Sequence, residues 1–134
     1  MADANFRAGT RALALAAVMT VSGAAIGGVG APRGDAVRGA DLYQAKCGAC
    51  HSLDSNRAGP AHRGVVGRRA GHVAGFRYST ALSASHIVWT PANLDRWLTA
   101  PTVMVPGTTM GFRVSSPQER VDIIAYLAQN PSRR

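Results

Sequence analysis

The segment from Cys47 to His51, with the sequence Cys-Gly-Ala-Cys-His, constrains the fold of this chain more than any other feature. The only two cysteines of the chain lie in this segment, with two residues between them. A C-x-x-C-H pattern is typical of c-type haem attachment, because this spacing matches the separation of two porphyrin vinyl groups. The adjacent histidine then lies under the iron as an axial ligand. The motif therefore predicts a domain built around one covalently bound haem.

A zinc site or a dithiol-exchange site is the alternative interpretation of a C-x-x-C pair. A Cys-rich zinc site needs further ligands, and the sequence has no second cysteine pair to supply them. The histidines at positions 62, 72 and 86 have no metal-ligand spacing with one another. Haem attachment is therefore the favoured interpretation of the motif.

The N-terminal segment has the pattern of an export signal. Arg7 and Arg11 precede a stretch, residues 12–32, that has no charged residue and ends rich in glycine and alanine. A basic region, an apolar region and small residues together describe a secretory signal peptide. Candidate cleavage points follow three alanines, Ala24, Ala25 and Ala31. The alternative is an uncleaved anchor, because residues 12–32 are just long enough to span a bilayer.

Both interpretations divide the chain in the same way. Residues 1–31 are predicted to be a signal peptide or an N-terminal membrane anchor, and residues 32–134 a single domain. The domain is therefore expected in the periplasm, either free or, if residues 12–32 are not cleaved, tethered to the inner membrane. Export agrees with the motif, because bacteria attach haem covalently to C-x-x-C-H on the far side of the membrane.

The remaining sequence predicts an all-α domain with three main helices and long loops. Helix signals include an Asp cap, Thr-Pro, and a Ser-Pro-Gln-Glu capping box. The main helices are expected from near Ala36 into the cysteine motif, from Thr90-Pro91 to before Pro101, and from Ser116-Pro117 to before Pro131. Residues 52–77 and 103–110 are expected to be loops, and residues 78–85 to hold a short helix. Loops of this length are unusual unless they are functional, and a large cofactor would explain them.

Helical spacing also predicts one apolar face for the last helix. The expected apolar face consists of Val121, Ile124, Ala125, Leu127 and Ala128.

A second iron ligand is sought among four methionines. Met1 and Met19 lie in the predicted export segment, which leaves Met104 and Met110. The rigid Pro106-Gly107 bend before Met110 allows a loop to place this side chain over a ring. A thioether ligand favours ferrous iron and raises the reduction potential. Met104 is expected to be a packing residue, since methionine often fills irregular gaps.

These features occur in the order found in class I c-type cytochromes, the group that contains mitochondrial cytochrome c and its bacterial relatives. The sequence resembles this family from about residue 35 to residue 130. The matching positions are Gly39, Tyr43, Cys47, Cys50, His51, Gly59-Pro60, Gly64, Gly67-Arg68, Gly75-Phe76, Tyr78, Trp89, Leu94, Trp97-Leu98, the segment from Pro106 to Phe112, Asp122 and Ala125-Tyr126-Leu127.

The resemblance implies a role for each matching site residue. Cys47 and Cys50 would form the thioethers, and His51 and Met110 would be the axial ligands. The carbonyl of Pro60 would accept a hydrogen bond from the His51 ring. Further implied haem contacts are Arg68, Tyr78 and Trp89 at the propionates, Thr108 near the methionine side, and Phe112 as a screen against water. Gly39 would let the first and last helices cross closely, with Tyr43 packed against Tyr126.

Two positions near the expected haem differ from the family pattern. His62 replaces a leucine that usually packs on the haem, and its side chain is expected to turn outward to the surface. It could also reach toward the iron or make the haem environment more polar. Trp97 replaces a tyrosine that is common near the methionine ligand. An indole N–H can only donate a hydrogen bond, so the network around Met110 must differ.

The chain is strongly basic, with a net charge of +8 and a sequence pI near 11.0. Its one lysine is Lys46, and the other fourteen basic residues are arginines. No nucleic-acid-binding motif or long basic run is present. The expected anionic partner is therefore an acidic protein face or a lipid headgroup layer. The lysines that surround the haem edge in mitochondrial relatives are mostly absent, and the surface charge is expected from Arg57, Arg63, Arg69, Arg77 and Arg113.

Two protein ligands would leave no iron position open, so the predicted function is one-electron transfer by a monomer that is not an enzyme. The donor would be a quinol-oxidising complex or a dehydrogenase, and the acceptor an oxidase, a reductase or a reaction centre. One alternative is a sensor or a peroxidase-like protein with a labile sixth ligand. Another is a haem subunit or a membrane-tethered redox module of an oxidase complex.

Overall fold

The computed structural model of the protein describes residues 33–133. Within them, three longer helices and two single-turn helices are joined by long loops, which agrees with the predicted all-α class. The helices are α1 (Ala36–Lys46), α2 (Thr80–Ser83), α3 (Pro91–Thr99), α4 (Pro101–Met104) and α5 (Pro117–Ala128). The export segment predicted over residues 1–31 lies outside the described residues. No helix within residues 33–133 is long and apolar enough to cross a membrane.

Each long helix begins at the side-chain cap that the sequence predicts. The Asp35 carboxylate accepts hydrogen bonds from the N–H groups of Val37 and Arg38 at the start of α1. The Thr90 and Ser116 hydroxyls each accept a hydrogen bond from a backbone N–H in the first turn of α3 and α5. Each cap is followed by a proline that starts the helix. These caps stabilise the helix termini because they satisfy backbone donors that have no partner inside the helix.

The crossing of α1 and α5 is the main helix contact of the domain. Gly39 allows it, because a Cβ atom there would overlap the backbone of Asp122 on α5. One turn later, the rings of Tyr43 and Tyr126 pack together with their centroids 5.3 Å apart. Both contacts predicted for this crossing are therefore confirmed.

The core lies between this helix pair, α3 and the loops. The buried residues of α5 differ from its predicted apolar face, because Ile123 is 1% exposed while Ala128 is exposed. Helix α5 packs against α1 on one side and α3 on another, so residues beyond a single apolar stripe become buried. Asp122 is 0% exposed and lies within the α1 contact.

The chain between α1 and α3 is almost entirely loop, as predicted. Within residues 33–133, the β pairing consists of one isolated antiparallel bridge between Arg69 and Val88. The loop predicted over residues 103–110 is wrong at its start, because Val103 and Met104 lie in α4. Pro101 ends α3 but also begins α4, since its fixed φ angle suits the first position of a helix.

Candidate functional site

The cysteine motif lies at the C-terminal end of α1 and continues its turn. The N–H of His51 donates to the carbonyl of Cys47 at 2.8 Å, and the N–H of Cys50 to the same carbonyl at 3.0 Å. Both cysteines are free thiols, with Cys47 partly buried and Cys50 exposed. Burial raises the pKa of Cys47 to about 11. A dithiol-exchange motif instead lowers the pKa of its attacking thiol, so the environment of Cys47 disfavours that alternative.

The His51 ring is buried and held in one tautomer. Its Nδ1 lies 2.8 Å from the carbonyl oxygen of Pro60. A carbonyl can only accept, so Nδ1 donates its proton and Nε2 keeps a free lone pair. Burial lowers the pKa of His51, whereas the hydrogen bond to Pro60 acts in the opposite direction. The result is a neutral imidazole with Nε2 ready to bind a metal, and the predicted bond to Pro60 is confirmed.

The outward orientation expected for His62 is wrong. The His62 ring is stacked on the ring of His51, with centroids 4.0 Å apart and planes inclined by 19°. Its Nδ1 lies 3.1 Å from the Tyr43 hydroxyl. Backbone bonds from His62 to Ser52 and from Val65 to His62 hold this turn so that the side chain faces inward. Burial lowers the pKa of His62 to about 3, so the ring is neutral at physiological pH although the residue keeps some exposed surface.

The second candidate ligand lies on the loop that follows α4. Nε1 of Trp97, on α3, donates to the sulfur of Met110 at 3.2 Å. Gly107 has a φ angle of 89° and forms the tight turn before this loop. Met104 packs against the core from α4, as Met110 also does from its loop. The expected proximity of Trp97 and Met110 is therefore confirmed, as is the packing role of Met104.

The residues expected at the propionates form a neighbouring group. The N–H of Trp89 donates to the carbonyl of Arg68 at 2.9 Å, which ties the two residues together. The Arg68 guanidinium donates to the carbonyls of Ala61 and Arg63, at 2.8 and 3.0 Å. Burial raises the pKa of Tyr78, and the positive charge of Arg68 acts in the opposite direction. Arg68, Tyr78 and Trp89 therefore share one region of the fold.

The last two expected haem contacts lie close to Met110 in the chain. Thr108 is partly buried, and its N–H donates to the carbonyl of Val105 at 3.1 Å. Phe112 is 49% exposed, so its ring lies at the surface of the described residues.

Sequence reasoning did not identify Arg120, although it fixes the loop beyond Met110. This α5 residue is 8% exposed, and its guanidinium donates to the carbonyls of Val114 and Ser115 at 2.9 and 3.0 Å. Its Nε also donates to the carboxylate of Asp95 at 2.7 Å. The sequence offered one signal: Arg120 is a charged residue at a helix position where apolar spacing predicts burial. A buried charge of this kind requires partners.

The arginines expected at the surface are partly exposed, but several of them are paired with other groups of the chain. The Nε of Arg63 is paired with Asp54 at 2.5 Å, and Arg69 donates to His86 at 2.8 Å. Arg57 donates to the carbonyl of Gly48, within the cysteine motif. Arg77 and Arg113 are exposed. His72 and His86 are exposed loop residues, as expected.

The chemistry of these donors fits a covalent haem. Two free thiols, an imidazole with an available Nε2 and an ordered thioether sulfur match the attachment chemistry and the His/Met ligand set of c-type cytochromes. Within residues 33–133, no group of three or more His, Cys, Asp or Glu side chains could hold a bare metal ion. A haem protein is therefore better supported than a zinc protein.

Comparison with known proteins decides the family. A family model described as cytochrome c matches residues 36–131. This chain belongs to the cytochrome c family. Cytochrome c2 of Rhodopila globiformis is 46% identical over 100 residues, covering 72% of this chain and 94% of that protein. Cytochrome c of Euglena viridis is 43% identical over 97 residues, covering 70% and 95%.

A solved structure agrees with the sequence relatives. Cytochrome cH from Methylobacterium extorquens superposes with a TM-score of 0.69 at 43% identity, covering 72% of this chain and 99% of that one. These findings confirm the predicted class I c-type cytochrome and its fold. The protein is an electron carrier with a covalently bound haem c.

Proposed function

We propose that Cys47 and Cys50 form the two thioether bonds and that His51 and Met110 are the axial ligands of a closed, six-coordinate site. The observation that carries this proposal is the hydrogen bond from Trp97 to the Met110 sulfur, at 3.2 Å. It orients a thioether that would otherwise be a flexible side chain. The bond from His51 to Pro60 orients the imidazole in the same way.

The haem supplies a one-electron couple between ferrous and ferric iron when it is bound. The work of the chain is to fix both ligands, limit the access of water and set the potential. Arg68, Tyr78 and Trp89 hold the propionates in this proposal. Arg68 uses two of its five N–H groups on backbone carbonyls, which leaves three for a carboxylate.

The proposed roles on the methionine side follow from position along one loop. Thr108 supports the turn that presents Met110, and Phe112 covers the ring from the surface. With both axial positions filled by the chain, no iron site is open to a substrate, so the protein acts as a carrier and not as an enzyme. A labile Met110 would make it a sensor or a peroxidase-like protein.

The proposed partners are redox proteins of the periplasm. The donor is a quinol-oxidising complex or a dehydrogenase, and the acceptor an oxidase, a reductase or a reaction centre, each docking a monomer through an acidic face. The exposed arginines Arg77 and Arg113 support electrostatic attraction to such a face. Rates of electron transfer that fall steeply with added salt would support this mode of docking.

The export of the domain is also a proposal, and it has a direct test. N-terminal sequencing of the protein purified from membranes and from periplasm distinguishes a signal peptide from an anchor. A mature N-terminus near residue 25 or 32 in the periplasm supports cleavage. A chain that starts at its first residues and stays with the membrane supports a tethered redox module.

The ligand assignment is tested with the haem-loaded protein. The wild type is expected to keep its haem in denaturing electrophoresis and to show, when ferric, the weak long-wavelength absorption band of sulfur bound to iron. Met110→Ala should lose that band, whereas the matched control Met104→Ala should keep it. A wild-type ferric protein without the band would overturn the closed-site proposal.

A further inference from the structure

A second histidine lies against the His51 ring. His62 is stacked on that ring, with centroids 4.0 Å apart and an interplanar angle of 19°. The His51 ring has two further close neighbours: its Nδ1 bonds to Pro60, and a Cβ atom at Gly59 would overlap ring atoms. The edge of the imidazole and one of its faces are therefore both in contact with the chain.

The position of His62 is itself fixed by a residue that is distant in the sequence. Its Nδ1 lies 3.1 Å from the hydroxyl of Tyr43, and the two rings meet edge to face at 5.7 Å. Tyr43 is 4% exposed and packs against Tyr126 across the crossing of α1 and α5. A continuous set of contacts thus leads from the helix crossing to the candidate ligand.

We propose that His62 is a positioning residue that sets the rotation of the His51 imidazole about its bond to iron, and that Tyr43 locks His62 in that position. The proposal rests on the proposed function, in which His51 is an axial ligand. The bond to Pro60 alone leaves the imidazole free to rock about the Nδ1–oxygen direction. A flat ring stacked on its face removes that freedom, and a leucine at position 62 offers neither a flat face nor a partner for the hydroxyl.

The orientation of an axial imidazole is directly measurable. Together with the orientation of the methionine sulfur, it determines the magnetic anisotropy of low-spin ferric iron, and therefore the order and spacing of the haem methyl resonances in proton NMR. The potential reports a different property, because it follows the polarity of the groups around the site. The methyl resonances therefore report the effect of the flat face of His62, and the potential reports the effect of its polarity.

Three variants of the haem-loaded protein test the proposal. His62→Leu removes the flat ring and is expected to change the order or spacing of the methyl resonances. His62→Phe keeps a flat ring but loses the partner of the Tyr43 hydroxyl, so its pattern should lie between those of the wild type and His62→Leu. Tyr43→Phe removes only the hydroxyl and should shift the pattern toward that of His62→Leu. His86→Leu, at an exposed loop histidine, is the control and should leave the pattern unchanged.

The potential should respond differently from the methyl pattern. Both His62→Leu and His62→Phe remove a polar ring, so both should favour ferrous protein. The expected change is about threefold in the ferrous-to-ferric ratio at fixed ambient potential, or ~28 mV from the one-electron constant of 59 mV per tenfold. This shared shift, together with divergent methyl patterns, is the signature of a positioning role.

Two results would overturn the proposal. One is a wild-type methyl pattern in His62→Leu, and the other is the same altered pattern in His62→Leu and His62→Phe. If His62→Leu does not take up haem, an unchanged pattern in Tyr43→Phe overturns it instead. Failure of the proposed function is seen separately, because the wild-type ferric protein would then lack the low-spin His/Met spectrum before any variant is compared.

Discussion

The indole N–H of Trp97 donates to the sulfur of Met110, with 3.2 Å between Nε1 and Sδ. Trp97 lies on α3 and is 6% exposed, so this donor cannot turn away to water. It also packs against Trp89, with ring centroids 5.1 Å apart. The sulfur is thus held by a rigid, buried donor that cannot accept a hydrogen bond in return.

Replacing this donor should lower the potential. Donation to the thioether withdraws electron density from sulfur and favours ferrous iron, so Trp97→Phe should stabilise the ferric form. A differential of about 1 kcal/mol for one hydrogen bond corresponds to ~40 mV in a one-electron couple. Potentiometric titration of the haem-loaded protein measures this shift.

Trp97→Tyr is the matched comparison, because its hydroxyl can again donate from a ring at the same place. Its potential should lie between those of the wild type and Trp97→Phe. Equal potentials in the wild type and Trp97→Phe would show that the contact positions the sulfur but does not change the reduction potential.

The sequence predicts the elements that depend on local chemistry. The caps Asp35, Thr90 and Ser116 begin α1, α3 and α5 as expected, because each acts on backbone groups two or three residues away. The family resemblance predicted the hydrogen bond from His51 to Pro60, and this prediction is confirmed.

Features that depend on distant parts of the chain were not predicted from the sequence. The inward orientation of His62 requires the Tyr43 hydroxyl from α1, and the burial of Ile123 requires a second packing surface on α5. The bonds of Arg120 to Val114 and Ser115 depend on how the loop after Met110 returns to α5. In each case a partner far away in sequence overrides the local pattern.

Gly39→Ala should destabilise the domain through the α1–α5 crossing. The added Cβ would overlap the Asp122 backbone, so the two helices must separate or bend. Overpacking of this kind costs about 1–3 kcal/mol. Denaturant unfolding of the haem-loaded variant measures the loss.

Gly111→Ala is the control for that experiment, because a Cβ there has no neighbour among the protein atoms within 4 Å. Its free energy of unfolding should stay close to that of the wild type. Equal stability of the Gly39 and Gly111 variants would mean that the crossing relaxes without cost.

Asp122 should make stability depend on pH in the acid range. Its carboxylate accepts from Arg38 at 2.6 Å, from the Asp35 N–H at 2.8 Å and from Gln118 at 2.9 Å. The hydrogen bond from Arg38 is the largest cause that lowers the pKa of Asp122 from 3.8 to about 2. Because the folded pKa is the lower one, this stabilisation is present above 3.8 and is lost as pH falls toward 2.

Asp122→Asn should flatten that dependence. The amide cannot ionise, so the free energy of unfolding should change less over this range than in the wild type. At neutral pH the variant should be less stable by about 1–3 kcal/mol, because buried donors lose a charged acceptor. Parallel pH profiles for the two proteins would assign the acid sensitivity to other groups.

Arg120 should hold the Met110 loop more than it holds the helices. Its planar guanidinium bonds to Val114, Ser115 and Asp95 at once, and the single ammonium of Arg120→Lys cannot reproduce that geometry. We expect a local loss of about 1–2 kcal/mol, since Asp95 is partly exposed to solvent. In denaturant, the sulfur–iron band of the variant should therefore disappear before the far-ultraviolet helix signal.

The exposed Arg113 on the same loop supplies the control Arg113→Lys, in which the gap between the two transitions should match that of the wild type. A single shared transition in Arg120→Lys, shifted for both probes alike, would place its role in the global fold instead of the loop.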